Sequence, residues 1–211
     1  MHRHKHLSEN DQYLRAVEVL RDGGVVALPT DTVFGLCAVA ADDAAVRRLY
    51  EIKRRRLDQP LPLFVADADQ AALVAGITPA AAALMARFWP GALTVVVPLR
   101  PSFTTLAASG IDTIGLRAPA DAFLRELARQ LGPITGTSAN LSGQPEARSA
   151  AEVRAQLGDA VDLIVDAPPA ASGPPSTVVD CTGTPVRVLR EGAITRAAIA
   201  SELKGLAEVA E

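Results

Sequence analysis

Short apolar, β-branched segments recur along this chain and alternate with helical stretches. That alternation limits the possible folds more than any other feature. Residues 25–28, 61–65, 93–97, 113–117, 134–137, 161–165, 176–180 and 186–189 read as strands. Between them, Leu14, Val17 and Leu20 recur at helical spacing after a Ser8 cap, and Gly23-Gly24 end that helix. Asp42 or Asp43 caps a second helix carrying Val46, Leu49, Tyr50 and Ile52. Residues 67–75 and 78–88 read as alanine-rich helices, Pro119 opens a helix to Leu131, 149–157 is helical, and a final helix starts near Thr195. PTDTVFGL at 29–36 reads as a polar turn, 101–110 as a loop, and the proline-rich 167–175 as a mobile stretch. Strands alternate with helices early and pair locally late. An α/β fold follows, with a twisted mixed parallel/antiparallel sheet flanked by helices. The 211 residues suit a flexible N-terminus at 1–7 and one domain at 8–211.

Charge and composition exclude several classes of function. The net charge is −3, so any anionic ligand must be met by a local basic patch. The two cysteines, Cys37 and Cys181, sit among apolar or small residues, which suits buried thiols in a reducing compartment. The N-terminus lacks the apolar core of a signal peptide and no run reaches transmembrane length, so a cytoplasmic protein without membrane contact is expected. Histidine occurs only at His2, His4 and His6, as a frayed end or an adventitious metal site. Serine-triad and histidine–metal chemistry drop out, and no metal ligands are assigned.

Polar turns and cations share one layout. PTDT at 29–32, TSAN at 137–140 and PPST at 174–177 each adjoin a short strand. Lys53, Arg55, Arg117 and Arg190 lie beside or within such strands. In open α/β sheets ligands collect where strand ends and loops converge, and hydroxyls and arginines there suit phosphate or carboxylate oxygens. A polyanionic, nucleotide-like ligand is implied, although Arg117 could instead pair with Asp121 or another acid. The glycine-rich phosphate motifs GxxxxGK[ST] and GxGxxG are absent, as is a CxxC pair. Lys53 stands out within IKRRRLDQPLPL: of 21 Lys and Arg residues only Lys5, Lys53 and Lys204 are lysine. Either the run is a solvated helix end favoured by the macrodipole, or position 53 needs a compact point charge.

ALPTDTVFGL, IKRRRLDQPL, FWPGALTVVV, TIGLRAP, TSANLSGQP, PSTVVDCTG and VLREGAIT together resemble, in order, the blocks of the YrdC/Sua5 family in its single-domain, TsaC-like form. The resemblance spans residues 23–194. It implies a YrdC-like twisted sheet with a concave, positively lined cleft, and L-threonylcarbamoyladenylate synthase activity on L-threonine, bicarbonate and ATP with Mg²⁺. The product would serve a downstream tRNA threonylcarbamoyl transferase complex. The family's K-x-R and S-x-N tetrad maps onto Lys53, Arg55, Ser138 and Asn140 as the catalytic set. By resemblance Thr32, Arg117 and Ser176 face the threonine, and Arg55, Gln59, Thr113, Ser138 and Arg190 face the nucleotide.

The sequence departs from the family pattern at several places. Phe34 stands where tyrosine is usual, Gln59 and Phe64 where asparagine and histidine are common, and Glu191 where proline follows the arginine. These departures leave a rival reading, a YciO-like paralogue that binds RNA or a nucleotide without catalysis. The scarcity of aromatic residues, 4%, weighs against a dedicated RNA module. An interaction module without chemistry fits the intact tetrad poorly.

Overall fold

The computed structural model describes residues 9–166 and 173–210. The Ser8 cap, the stretch 1–7 and most of the proline-rich 167–175 lie outside the described residues. In chain order the elements are α1 (Glu9–Arg21), β1 (Val26–Leu28), β2 (Gly35–Cys37), α2 (Asp43–Lys53), β3 (Leu63–Phe64), α3 (Ala68–Val74), α4 (Pro79–Phe88) and β4 (Leu93–Pro98). They continue with β5 (Thr113–Arg117), α5 (Ala122–Leu131), β6 (Ile134–Thr135), β7 (Thr137–Ser138), α6 (Ala150–Leu157), β8 (Leu163–Ile164), β9 (Thr177–Asp180), β10 (Arg187–Arg190) and α7 (Arg196–Glu202).

Helix starts follow short polar side chains. Asp42 accepts from Ala44 N and Ala45 N, both at 3.0 Å, and so resolves the Asp42/Asp43 alternative. Asp67, Thr78, Ser149 and Thr195 cap α3, α4, α6 and α7 in the same way. One expected start is corrected. Helix α5 begins at Ala122 rather than Pro119, because Asp121 accepts from Leu124 N at 2.8 Å, while the Pro119 carbonyl accepts from Arg125 Nη1 instead.

The strands divide between two sheets, each mixing parallel and antiparallel pairs. One has the order β7-β2-β1-β8, with β1 and β8 parallel; the other runs β10-β9-β4-β5-β3-β6, with β4/β9 and β3/β5 parallel. Residues 134–137, expected as one strand, split at Gly136 so that β6 and β7 serve different sheets. Gly35 to Cys37, read as the end of a turn, forms β2 because both neighbours, β1 and β7, offer a ladder. The sheets join where Thr135 N donates to Ala38 O at 2.8 Å and Ala38 N donates to Thr135 Oγ1 at 2.9 Å. Gly136 is required at this join. A Cβ there would lie 2.8 Å from the Phe64 ring.

Apolar side chains pack in two clusters. The larger includes Leu49, Leu61, Leu84, Val95 and Leu116; the smaller, beneath α1 and α5, includes Leu20, Leu28, Phe64, Leu124 and Ile134. Among the described residues no helix is long and apolar enough to cross a membrane. Cys37 and Cys181 are free and buried. Burial pushes both thiols up to about 12, with the Asp121 charge adding at Cys37 and Asp180 at Cys181. Iodoacetamide at pH 8 is therefore expected to modify neither thiol in the native protein and both after denaturation. Modification of either in the native state, read by mass spectrometry, would contradict this packing.

Candidate functional site

A cavity of about 520 Å³ lies over one face of the larger sheet rather than at the strand ends, lined by alternate residues of β4 (Thr94, Val96), β5 (Thr113, Gly115, Arg117) and β9 (Val178, Asp180), with Gly35 of β2 and Ser138 of β7 beside them. Thr32, Arg55, Thr113, Arg117, Ser138, Ser176 and Arg190, all expected site residues, line it. Lys53, Gln59 and Asn140 do not. They line a second cavity of about 420 Å³, which shares Arg55 and Ser138 with the first.

The PTDT turn is held by its first threonine. Thr30 Oγ1 donates to Val33 O at 2.7 Å and accepts from Thr32 N at 3.0 Å and Val33 N at 3.2 Å. This sets the buried Thr32 hydroxyl 3.3 Å from Arg117 Nη1. Arg117, only 4% exposed, also donates from Nε to Gly91 O at 2.9 Å and from Nη2 to Asp31 Oδ1 at 2.6 Å. Its ion-pair partner is thus Asp31, not Asp121. The Phe64 ring packs beside the guanidinium, 5.8 Å from ring centroid to carbon. Asp31 is in turn fixed by Ala120 N at 3.1 Å. A fork held on three sides has little freedom left to lose on meeting a carboxylate.

On the opposite wall Ser176 Oγ lies 3.1 Å from Thr94 Oγ1. Arg190 donates to Ser176 O from Nε at 3.1 Å and from Nη2 at 2.9 Å, and to Ser176 Oγ at 3.2 Å. A register shift in β10 between Val188 and Arg190 turns this arginine toward Ser176.

Lys53 has a different environment from the one expected. It is 1% exposed, and its ammonium donates to Ser138 O, to Asn140 O at 2.8 Å and to Asn140 Oδ1 at 3.5 Å. The point charge is therefore spent inside the protein, tying the end of α2 to the TSAN turn. Burial, with the Arg55 charge adding, lowers the Lys53 ammonium to about 8, and Glu146 opposes the shift. Asn140 finishes the same turn, donating from Nδ2 to Leu141 O at 2.9 Å and Gln144 O at 2.7 Å. Lys53 and Asn140 thus position Ser138, which lines both cavities. Arg55 donates to Gln59 O at 3.3 Å and Pro60 O at 3.0 Å, so Gln59 holds Arg55 through its main chain while its exposed side chain faces the second cavity.

Several lining residues had no assignment from sequence. Thr30 and Thr94 line the cleft, and the threonine inside the otherwise apolar β4 was the available signal. Glu146 and Asp180 are also in the lining and offset the three arginines, so the positive lining expected by resemblance is partly cancelled. Asp180 is occupied by Thr182 and Arg187, whereas the Glu146 carboxylate has no hydrogen bond to another described residue. Arg54 and Arg56, read as surface charge, line the second cavity.

A cleft built from two hydroxyl turns, a buried arginine fork and a lysine-tied S-x-N turn defines a class, and comparison with known proteins agrees. Residues 18–192 match the family model for Sua5, YciO and YrdC, described as "Telomere recombination". The chain belongs to this family. A Bacillus subtilis relative named threonylcarbamoyl-AMP synthase is 41% identical over 194 residues, covering 90% of this chain and 56% of its own length. One from Idiomarina loihiensis with the same name is 39% identical, covering 74% and 87%. The structure of P. abyssi Sua5 complexed with L-threonine superposes with a TM-score of 0.86 at 34% identity, over 98% of this chain and 61% of that one. E. coli YciO gives 0.78 at 27% identity, over 88% and 90%. This chain thus spans little more than half the length of the Bacillus relative.

Proposed function

We propose that this protein is an L-threonylcarbamoyladenylate synthase acting in the cytoplasm on L-threonine, bicarbonate and ATP. The observation that carries the reading is one cavity holding Thr32, Arg117 and Ser176 together with Arg55, Thr113, Ser138 and Arg190. The names of the Bacillus and Idiomarina relatives and the threonine-bound Sua5 structure support it. The likeness to YciO runs at lower identity, and of the departures that left that alternative Phe64 lines the cleft, where its ring flanks Arg117.

The chemistry asks for positioning more than for a protein nucleophile. Threonine's amine and bicarbonate combine to a carbamate with loss of water. A carbamate oxygen attacks the α-phosphorus of ATP, the bond from that phosphorus to the bridging oxygen breaks, and pyrophosphate leaves. Arg117 anchors the amino-acid carboxylate with Thr32 and Ser176 beside it. Arg55 and Arg190 neutralise phosphate charge, and Ser138 and Thr113 orient the nucleotide. Among the described residues no group of three His, Cys, Asp or Glu could cage a metal. Mg²⁺ would come with ATP and would supply neutralisation of phosphate charge, and Glu146, a cavity-lining carboxylate without a hydrogen bond to another described residue, would be the side chain available to it. The product, a mixed anhydride, suits transfer of its threonylcarbamoyl group to an adenosine of tRNA by a downstream complex.

Pyrophosphate release is the test. It is expected to require both L-threonine and bicarbonate. Release independent of either substrate, from folded protein, would overturn the assignment.

A further inference from the structure

We infer that Tyr50, through its hydroxyl, is a positioning residue for the nucleotide end of the cleft: it holds the seat of Arg55 and, through Ser109, the turn that leads to Thr113. This rests on the proposed synthase reading, in which Arg55 and Thr113 face ATP. Arg55 depends on a loop. Its guanidinium donates to the carbonyls of Gln59 at 3.3 Å and Pro60 at 3.0 Å, and both of those residues are exposed. The Arg56–Asp58 ion pair in the same loop is on the surface and contributes little. What fixes the seat comes from beneath it. Tyr50 Oη donates to Gln59 O at 2.8 Å, so one carbonyl takes both the phenol and Arg55 Nε. Tyr50 is 1% exposed, packs in the larger apolar cluster and lines neither cavity. Without its oxygen, Gln59 O is free to turn to water, and Arg55 follows it.

Proton bookkeeping orders this network. A phenol has one proton and Gln59 O takes it, so Ser109 Oγ, 3.0 Å away, donates to Tyr50 Oη. Burial raises the phenol above its usual range, while the Ser109 hydrogen bond and the Arg55 charge oppose the shift, so the hydroxyl keeps its proton at neutral pH. Ser109 closes a single 3-10 turn, Leu106–Ala108, in left-handed backbone with φ 55 and ψ 29, where glycine or asparagine is favoured. Helix α2 holds this turn at two points: Asp43 Oδ1 accepts from Leu106 N at 2.7 Å, and Tyr50 accepts from Ser109. Leu61 N, just past the Pro60 seat, donates to Ala107 O at 2.8 Å. The loop under Arg55 and the turn before β5 are therefore locked to each other as well as to α2. Ile111 and Thr113, which follow that turn, line the cleft. A serine kept in strained backbone where its hydroxyl is the link fits the pattern of strain held for function.

Titration calorimetry with ATP and, separately, with L-threonine tests the inference. It would compare the wild-type chain with Tyr50→Phe, Ser109→Gly, the two combined, and Asp67→Ala as a stability control. Phenylalanine keeps the packed ring and removes only the oxygen. Tyr50→Phe is expected to weaken ATP binding about fivefold to tenfold, the scale of one net hydrogen bond. Threonine binding should stay within about twofold of wild type, as for an independent site. Ser109→Gly loses the hydroxyl but tolerates φ 55, so its Tm should stay within about 2 °C of wild type. Its ATP binding should still fall about threefold. Because Ser109 acts through Tyr50, the double variant should bind ATP within about twofold of Tyr50→Phe alone. Asp67→Ala removes the cap on Gln70 N and should lower Tm by about 2–4 °C with ATP binding unchanged. Unchanged ATP affinity in Tyr50→Phe, an equal loss in Asp67→Ala, or threonine binding that falls in step with ATP would overturn the inference. So would fully additive losses in the double variant, which would make Ser109 act on its own. Tyr50-dependent ATP binding in a protein lacking threonine-dependent turnover would uphold the network while removing the synthase reading.

Discussion

Lys53→Met is expected to unfold at a markedly lower urea concentration and to lose nearly all pyrophosphate release. Methionine nearly matches the lysine stem but strands Ser138 O, Asn140 O and Asn140 Oδ1, the three oxygens that the ammonium now serves. Leaving buried acceptors unpaired costs about 1–3 kcal/mol each, and partial relaxation makes a total of about 2–5 kcal/mol reasonable. The midpoint should fall with the slope of the transition unchanged. Lys53→Arg keeps the charge, yet a larger flat fork cannot reproduce three donors radiating from one atom in a site 1% exposed, so it should rescue little. The pH dependence identifies the group. The Lys53 ammonium is lowered to about 8 in the fold, from 10.5. Between those values the unfolded chain binds more protons, so stability gains with rising pH. Below about 8 both states are charged and the burial cost is constant. The stability gap between wild type and Lys53→Met should therefore widen from pH 8 to pH 10. A gap that narrows would show that the turn's oxygens hold the ammonium more strongly than burial disfavours it, and rescue by arginine would show that the tie does not need a compact ammonium.

Lys53 also shows what could be read before the structure. Its singularity among arginines left open a solvated helix end or a compact point charge, and burial at 1% exposure rules out the solvated end. The resemblance grouped it with Ser138 and Asn140, but that it meets their carbonyls could not be read, because main-chain acceptors leave no mark in a sequence. The same limit applies to Gln59, which acts through its carbonyl on Arg55 and Tyr50. Strand β4 was legible since a β-branched run carries its own preference. Strands β2 and β7, three and two residues long, exist because of their neighbours. The split at Gly136 depends on the Phe64 ring, contributed by β3 from elsewhere in the chain. Among cavity-lining residues, those in hydroxyl turns were legible from their motifs. Glu146 and Arg54 were not, because a lone acid after a turn and one arginine in a run resemble ordinary surface.

Arg117→Lys is expected to raise the threonine KM at least about tenfold while the ATP KM stays within about twofold. The guanidinium reaches Gly91 O, Thr32 Oγ1 and Asp31 Oδ1 from three of its nitrogens at once. These acceptors lie around a plane, and an ammonium, whose donors radiate from one atom, can satisfy them only in part. Breaking a buried ion pair outright costs about 3–5 kcal/mol, and keeping the charge should hold the loss below that. The selectivity of the effect carries the argument. Arg55 and Arg190, proposed to face the phosphates, have their own main-chain partners and do not hydrogen-bond to Arg117. A lysine at 117 should therefore leave the nucleotide end as it was. Phe64 would still flank the new ammonium, so the pocket wall is kept and the change is one of hydrogen-bond geometry. Calorimetric titration with L-threonine alone removes any dependence on turnover, and the same weakening of about tenfold is expected there. If both KM values rise together, Arg117 supports the whole cleft rather than the amino-acid end. If neither moves, the carboxylate binds elsewhere, and the buried fork serves only to join the PTDT turn to β5.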